Sequence, residues 1–181
     1  MENFWDKRYA GADYLFGTQP AAGLIALEPH LVAGGKTLVV ADGEGRNSVY
    51  LASSGYDVRA TDYSQVAQKK AKALAKEVGV DVDFVLYDIY DAGWSDEAYD
   101  NVVAIFIQFV PLESMGEIFT ALALARATGA GGTLLIHGYT HEQVALGTGG
   151  REIPTICTPP ICWQMPFPTC RSQLTAPIPL P

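Results

Sequence analysis

Cysteine is missing from the first 156 of the 181 residues; Cys157, Cys162 and Cys170 all fall within the last 25. That leaves most of the chain without a disulfide framework. The odd count, at spacings that fit no zinc pattern and with no histidine nearby in sequence, argues against a metal site. Positive charge is scarce: 12 Lys and Arg stand against 20 Asp and Glu, a net charge of −8. Nucleic-acid binders present a basic face, so no nucleic-acid partner is expected. No stretch reaches the roughly 18 consecutive apolar residues of a membrane-spanning helix. The first 30 residues have no basic start followed by an apolar run, so no signal peptide is expected, and a cytoplasmic protein without a membrane partner is the default. Repeats and low-complexity tracts are absent up to residue 150. What remains is 49% hydrophobic and 18% charged, ordinary for a globular domain with a sizeable core.

The patterning predicts alternating helices and strands. Residues 2–9 form a short aromatic helix, and residues 20–31 a second with Pro20 near its first turn. A buried strand follows over 37–40, then the helix "RNSVYLASS", stopped by Gly55. The second strand, 57–62, ends on Asp62; the helix 64–79 has Ser64 as N-cap and Gly79 past its end. The third strand, 82–88, ends on Asp88, and the fourth spans 99–107. An amphipathic helix, 113–128, leads to a fifth strand, 133–138, and Thr140 with Gln143 opens another helix in capping-box register. Continuous apolar strands alternating with helices indicate an α/β protein with a doubly wound, mostly parallel, Rossmann-like sheet.

A ligand in such a sheet binds beyond the carboxyl ends of the strands, where the strand order reverses. The turn "ADGEG" (41–45) lies there. Gly43 and Gly45 let a backbone approach a ligand, and the following helix start offers N–H groups and a positive dipole end. Asp62 can accept both hydroxyls of a ribose. Asp88 beside Ile89 suits the amino edge and flat face of adenine, and "AIFIQF" (104–109) closes the pocket floor. Each feature alone has a structural explanation: a tight turn, a helix cap, a solvated acid. Their order on successive strands is more specific. A dinucleotide fingerprint needs a third glycine for close helix–strand packing, and Ser48 stands in that place. S-adenosylmethionine needs a helix start for its carboxylate, an acid for its ribose and an acceptor for its adenine.

On "FWDKRY", "YLFGTQP", "VVADGEGRNSVYLA", "ATDYS", "YDNVVAIFIQF" and "GGTLLIHGYTHEQVALGTGG", the sequence resembles class I S-adenosylmethionine-dependent methyltransferases, in the small bacterial branch near the tellurite-resistance and thiopurine methyltransferases. The resemblance covers residues 2–150 and implies the class I methyltransferase fold over a domain 1–150. It implies that Ala41, Asp42, Gly43 and Gly45 hold the methionine end, Asp62 and Tyr63 the ribose, and Asp88 with Ile89 the adenine. Ile105 and Phe106 would line the site near the sulfonium, and Trp5, Tyr9, Tyr14 and Phe16 would belong to a lid. Two departures stand out: Ala41 replaces the usual first glycine, and Val39 replaces an acid that helps hold the methionine ammonium, with Asp42 or Glu44 as substitutes.

Residues 151–181 hold eight of the eleven prolines, no glycine, and no acid after Glu152. Proline at that density blocks helix and interior strand. The family usually ends in a helix and a hairpin of strands six and seven. The atypical tail 151–181 is expected to lack that regular hairpin, as a shifted reading frame or another non-native terminus would. Strand five would then be an exposed sheet edge, a place for a homodimer.

The expected function is methyl transfer from S-adenosylmethionine to a small-molecule acceptor, a thiol or chalcogen oxyanion. The alternatives are a non-catalytic S-adenosylmethionine or nucleotide binder and an NAD(P)-dependent reductase. Such a transfer needs positioning and a dry pocket. Phe106 and Tyr139 are candidates for cation–π contact with the sulfonium. No general base is assigned; His137 and His141 flank the end of strand five, with a structural role the commoner explanation for His137.

Overall fold

The computed structural model describes residues 4–91, 98–125 and 132–139. Residues 1–138 form one compact unit. The expected helix after Thr140, His141 and the whole tail 151–181 lie outside the described residues, so the domain boundary and the expected loss of the hairpin fall there too.

Five strands are described: β1 (Lys36–Val40), β2 (Asp57–Asp62), β3 (Asp83–Leu86), β4 (Asn101–Ile105) and β5 (Thr133–His137). Their order is β3-β2-β1-β4-β5, and every pairing is parallel. The direction of winding therefore reverses between β1 and β4, which opens a crevice at their carboxyl ends. The helices are α1 (Phe4–Tyr9), α2 (Ala22–Leu27, extended by a 3-10 turn, Glu28–His30), α3 (Arg46–Ser53), α4 (Gln65–Val78) and α5 (Leu112–Ala125).

Alternate residues of the strands feed two apolar layers. Leu38, Val40, Val102 and Ala104 pack with Met115, Ile118 and Leu122 of α5. Val39, Val58, Ala60, Val103, Ile105 and Leu135 pack on the opposite side with Leu24 of α2 and Leu51 of α3. This two-sided burial is why the central strands β1 and β4 are mostly apolar on both faces, while β2, "DVRATD", and the edge strand β3, "DFVL", carry polar or exposed positions. Val39, at the position where an acid was expected for the methionine ammonium, is 1% exposed within the second layer, so it serves the core.

Local signals placed α4 closely. The Ser64 hydroxyl accepts from the Ala67 amide at 3.1 Å, and Gly79 ends the helix at φ +81. Three expected elements are shorter than the patterning suggested; the fourth strand, expected over 99–107, runs from Asn101 to Ile105, because the backbone turns at Phe106 with φ +57. The predicted helix 20–31 starts at Ala22 and is regular for six residues; Pro29, which has no N–H to donate, falls in the 3-10 turn. The strand expected over 82–88 ends at Leu86. The Tyr87 amide still reaches the Asp62 carbonyl at 3.0 Å, but Asp88 then accepts from the Tyr90 and Asp91 amides, which turns the chain away.

Candidate functional site

The crevice is built around the turn joining β1 to α3. Ala41 has φ +51, in the left-handed region that favours glycine, so the family's usual glycine has a backbone reason. Asp42 is buried; its carboxylate accepts from the Ser48 amide at 3.3 Å and from the Ser48 hydroxyl. Ser48, which removed the dinucleotide glycine pattern, thus closes the turn from inside the first turn of α3. Burial pushes the Asp42 carboxyl up to about 6; the bonds from Ser48 and the Arg46 charge oppose the rise, and Asp62 adds to it.

The two glycines of the turn have protein against their open faces. A Cβ on Gly43 would stand 2.8 Å from the Tyr9 hydroxyl, and one on Gly45 would stand 2.7 Å from the Ala71 Cβ. Gly45 therefore lets α4 pack against the start of α3, and Gly43 lets the Tyr9 side chain lie over the turn.

Asp62, at the end of β2, is tied into the same turn. Its Oδ2 accepts from the Gly43 amide and its Oδ1 from the Ser64 amide, both at 2.8 Å. Burial raises its carboxyl above the ordinary aspartate value, and these amides oppose the rise. Two oxygens carry about four lone-pair sites, so the carboxylate keeps capacity for ligand hydroxyls. Tyr63 beside it is 41% exposed. Asp88 lies in the turn after β3 rather than at the strand end, and the adjacent Ile89 is buried in the α5-side layer. Ile105 is buried in the other layer, while Phe106, at φ +57, leaves the strand with its amide donating to the His137 carbonyl at 2.8 Å. A non-glycine residue held at positive φ next to a crevice is a mark of functional constraint.

Part of the N-terminal segment lies over the turn, whereas Tyr14 packs against the cluster of Val49, Leu74 and Ala75, with its hydroxyl donating to the Lys70 carbonyl at 3.2 Å. Trp5 stacks on Tyr9 at 5.6 Å and meets Phe109 edge-on at 5.7 Å; Tyr9 meets Phe16 edge-on at 6.4 Å. Tyr9 is buried, and burial, then the charges of Asp62, Glu44 and Asp42, raises its hydroxyl pKa. The polar anchors of this segment were not apparent from the sequence. Asp6 accepts from the Ser64 hydroxyl at 2.6 Å and from the Val66 amide at 3.3 Å, at the start of α4. Glu44 accepts from the Leu15 amide and from Lys70 Nζ, each at 2.7 Å, and Lys70 also donates to the Asp13 carbonyl at 2.8 Å. Arg46 donates to the Phe16 carbonyl at 3.0 Å, and its guanidinium lies 5.7 Å from the Phe16 ring centroid and 6.0 Å from that of Phe106. No signal of local spacing links these residues. Glu44, expected as a substitute for the missing acid, is instead engaged by the lid and α4.

Among the described residues, no group of three or more metal-ligating side chains is gathered, and no helix is long and apolar enough to cross a membrane.

Hemagglutinin 1 of Eikenella corrodens is 38% identical over 81 residues, a span that covers 42% of this chain and 27% of that protein. Among solved structures, one from a study of the conversion of a disulfide bond into a thioacetal group during echinomycin biosynthesis is 26% identical, with a TM-score of 0.60 over 70% of this chain and 57% of the other. TehB from Haemophilus influenzae is 24% identical, with a TM-score of 0.55 over 75% of this chain and 44% of the other. An S-adenosylmethionine-dependent methyltransferase from Geobacter sulfurreducens, solved with S-adenosyl-L-homocysteine, is 21% identical, with a TM-score of 0.59 over 75% of this chain and 56% of the other. The chain thus spans about a quarter of the curated relative's length and about half that of the solved structures. At these identities the last two likenesses establish a shared fold, that of methyltransferases of known structure. The family model described as Tellurite resistance protein TehB matches residues 2–146, which takes in the turn, Asp62, Asp88 and all five strands, so the chain belongs to the TehB family.

Proposed function

We propose that this protein transfers the methyl group of S-adenosylmethionine to a small-molecule acceptor, a thiol or chalcogen oxyanion. The observation that carries the reading is the joining of the β1–α3 turn to the end of β2 through Asp62, inside a chain of the TehB family. The donor set fits the cofactor. Residues Ala41, Asp42, Gly43 and Gly45 would hold the methionine end, Asp62 and Tyr63 the ribose, and Asp88 with Ile89 the adenine, with Ile105 and Phe106 near the sulfonium. When bound, S-adenosylmethionine supplies an electrophilic methyl group. The chain's own part is positioning and exclusion of water: Trp5, Tyr9 and Phe16 cover the turn, and Arg46 spans Phe16 and Phe106 at its edge.

The domain 1–150, a cytoplasmic location and a homodimer through the β5 edge belong to the same proposal; among the described residues β5 pairs with β4 alone. Calorimetric titration with S-adenosylmethionine, S-adenosylhomocysteine and NADH, followed by methyl-transfer assays on a panel of thiols, tests the function. Micromolar binding of the first two with turnover is expected. Binding without turnover would make the protein a non-catalytic binder, and binding of NADH alone would make it a reductase.

A further inference from the structure

His137 ends β5 beside the carboxyl end of β4, on the side of the sheet that α2 covers. Three observations set its imidazole apart. It meets the Phe106 ring edge-on at 5.2 Å, and the His137 carbonyl accepts from the Phe106 amide at 2.8 Å, so the two residues are joined through both ring and backbone. It lies so close to α2 that a Cβ on Gly23 would stand 2.5 Å from the ring, which leaves glycine as the residue that admits an imidazole there. Neither ring nitrogen has a hydrogen-bond partner among the described residues, although the ring is half-buried and the backbone around it is ordered by β-pairing. The half-buried ring keeps its nitrogens accessible to solvent or a ligand, which a Leu or Val at this strand position would not offer. Burial lowers its pKa, so the ring is neutral at physiological pH and retains an acceptor nitrogen. The Arg46 guanidinium of α3 lies 6.0 Å from the Phe106 ring centroid; α2, "AGLIAL", brings no charged side chain.

We infer that His137 is the proton acceptor for a neutral, protic methyl acceptor seated on Phe106, with Phe106 as platform and Arg46 at its rim. The inference rests on the methyl-transfer reading and assigns that reaction its acceptor-side base. The acceptor's proton passes to the free imidazole nitrogen as its heteroatom bonds the methyl carbon. The carbon–sulfur bond of the sulfonium breaks with its electron pair on sulfur, and the imidazolium then returns the proton to solvent. An acceptor that is already anionic needs no such base, so His137 separates two substrate classes.

The test compares benzyl mercaptan, protonated at pH 7.5, with 4-nitrothiophenol, ionised at that pH. In the full chain, His137→Gln should lower kcat on benzyl mercaptan by about 10²-fold, the lower range for a general base, and leave the rate on 4-nitrothiophenolate unchanged. Equal losses on both thiols, or no loss on benzyl mercaptan, would overturn the inference. A second readout uses no turnover. In wild-type protein saturated with S-adenosylhomocysteine, benzyl mercaptan should shift the His137 imidazole resonances and leave those of exposed His30 in place. If they stay fixed, the inference fails even where the variant does not fold. A wild type that turns over neither thiol and does not bind S-adenosylhomocysteine would refute the methyl-transfer reading itself.

Discussion

The amide of Gly43 donates to Asp62 Oδ2 over 2.8 Å, so the turn after β1 and the end of β2 are one unit. Asp62→Ala releases the turn and, on the proposed reading, removes an acceptor for the ligand. S-adenosylhomocysteine affinity should fall by about 1–3 kcal/mol, roughly 5- to 150-fold, the range for polar groups left unpaired. Calorimetry reads this directly, and unchanged affinity would remove Asp62 from the site.

Asp42 makes stability depend on pH in an unusual direction for an aspartate. Its carboxyl rises from 3.8 to about 6 on folding, so the folded state binds the proton more tightly than the unfolded state. Stability should therefore rise as pH falls from about 7 toward 4, by about 3 kcal/mol from this group, and level off below the unfolded pKa. Asp42→Asn keeps an acceptor for the Ser48 amide and cannot ionise. Urea midpoints at pH 4.5 and 7 should show the variant gaining on the wild type at the higher pH. A constant difference would contradict the burial argument.

Two small residues of the turn should respond in opposite ways. Gly45→Ala places a methyl at φ +91 against the Cβ and Cα of Ala71, and should cost about 2–4 kcal/mol from backbone strain and overpacking. Ala41→Gly relieves a residue at φ +51 and should stabilise by about 0.5–1 kcal/mol after the entropy lost by adding a glycine. Thermal or urea unfolding of both variants measures the pair.

Glu44 anchors the lid. Its side chain is 3% exposed and its ion-pair partner Lys70 17% exposed. Glu44→Gln leaves Lys70 without its counter-charge and weakens the acceptor for Leu15, at a cost of about 1–3 kcal/mol. Hydrogen exchange should quicken at the Leu15 amide and stay slow in β1 and β4. Equal acceleration everywhere would mean that Glu44 supports the whole fold rather than the lid.

Much of this was legible in the sequence because it is local. Ser64 and Gly79 bracket α4 with a hydroxyl and a left-handed glycine, and β2 ended on Asp62 as expected. The expected end of β3 lies two residues too late because its pairing with β2 continues through the Tyr87 amide after regular strand geometry has stopped. Ala41 was noted as a departure from a glycine, but its positive φ is fixed by tertiary context rather than by its own preference. Glu44, Lys70, Asp6 and Arg46 escaped notice as anchors, since a charged residue in sequence gives no sign of which distant amide or carbonyl it will meet.

The anchors of the N-terminal segment also set an order of events. Asp6 finds Ser64 across 58 positions, and Lys70 finds the Asp13 carbonyl across 57. These are long loops to close, and they close onto a helix that must already be formed. The segment of residues 4–16 is therefore among the last parts of the domain to reach its native place. It should also be among the first to open, as a cooperative unit less stable than the sheet beneath. The site would thus gain its cover late in folding, and could lose it briefly, for ligand entry, while the strands stay paired.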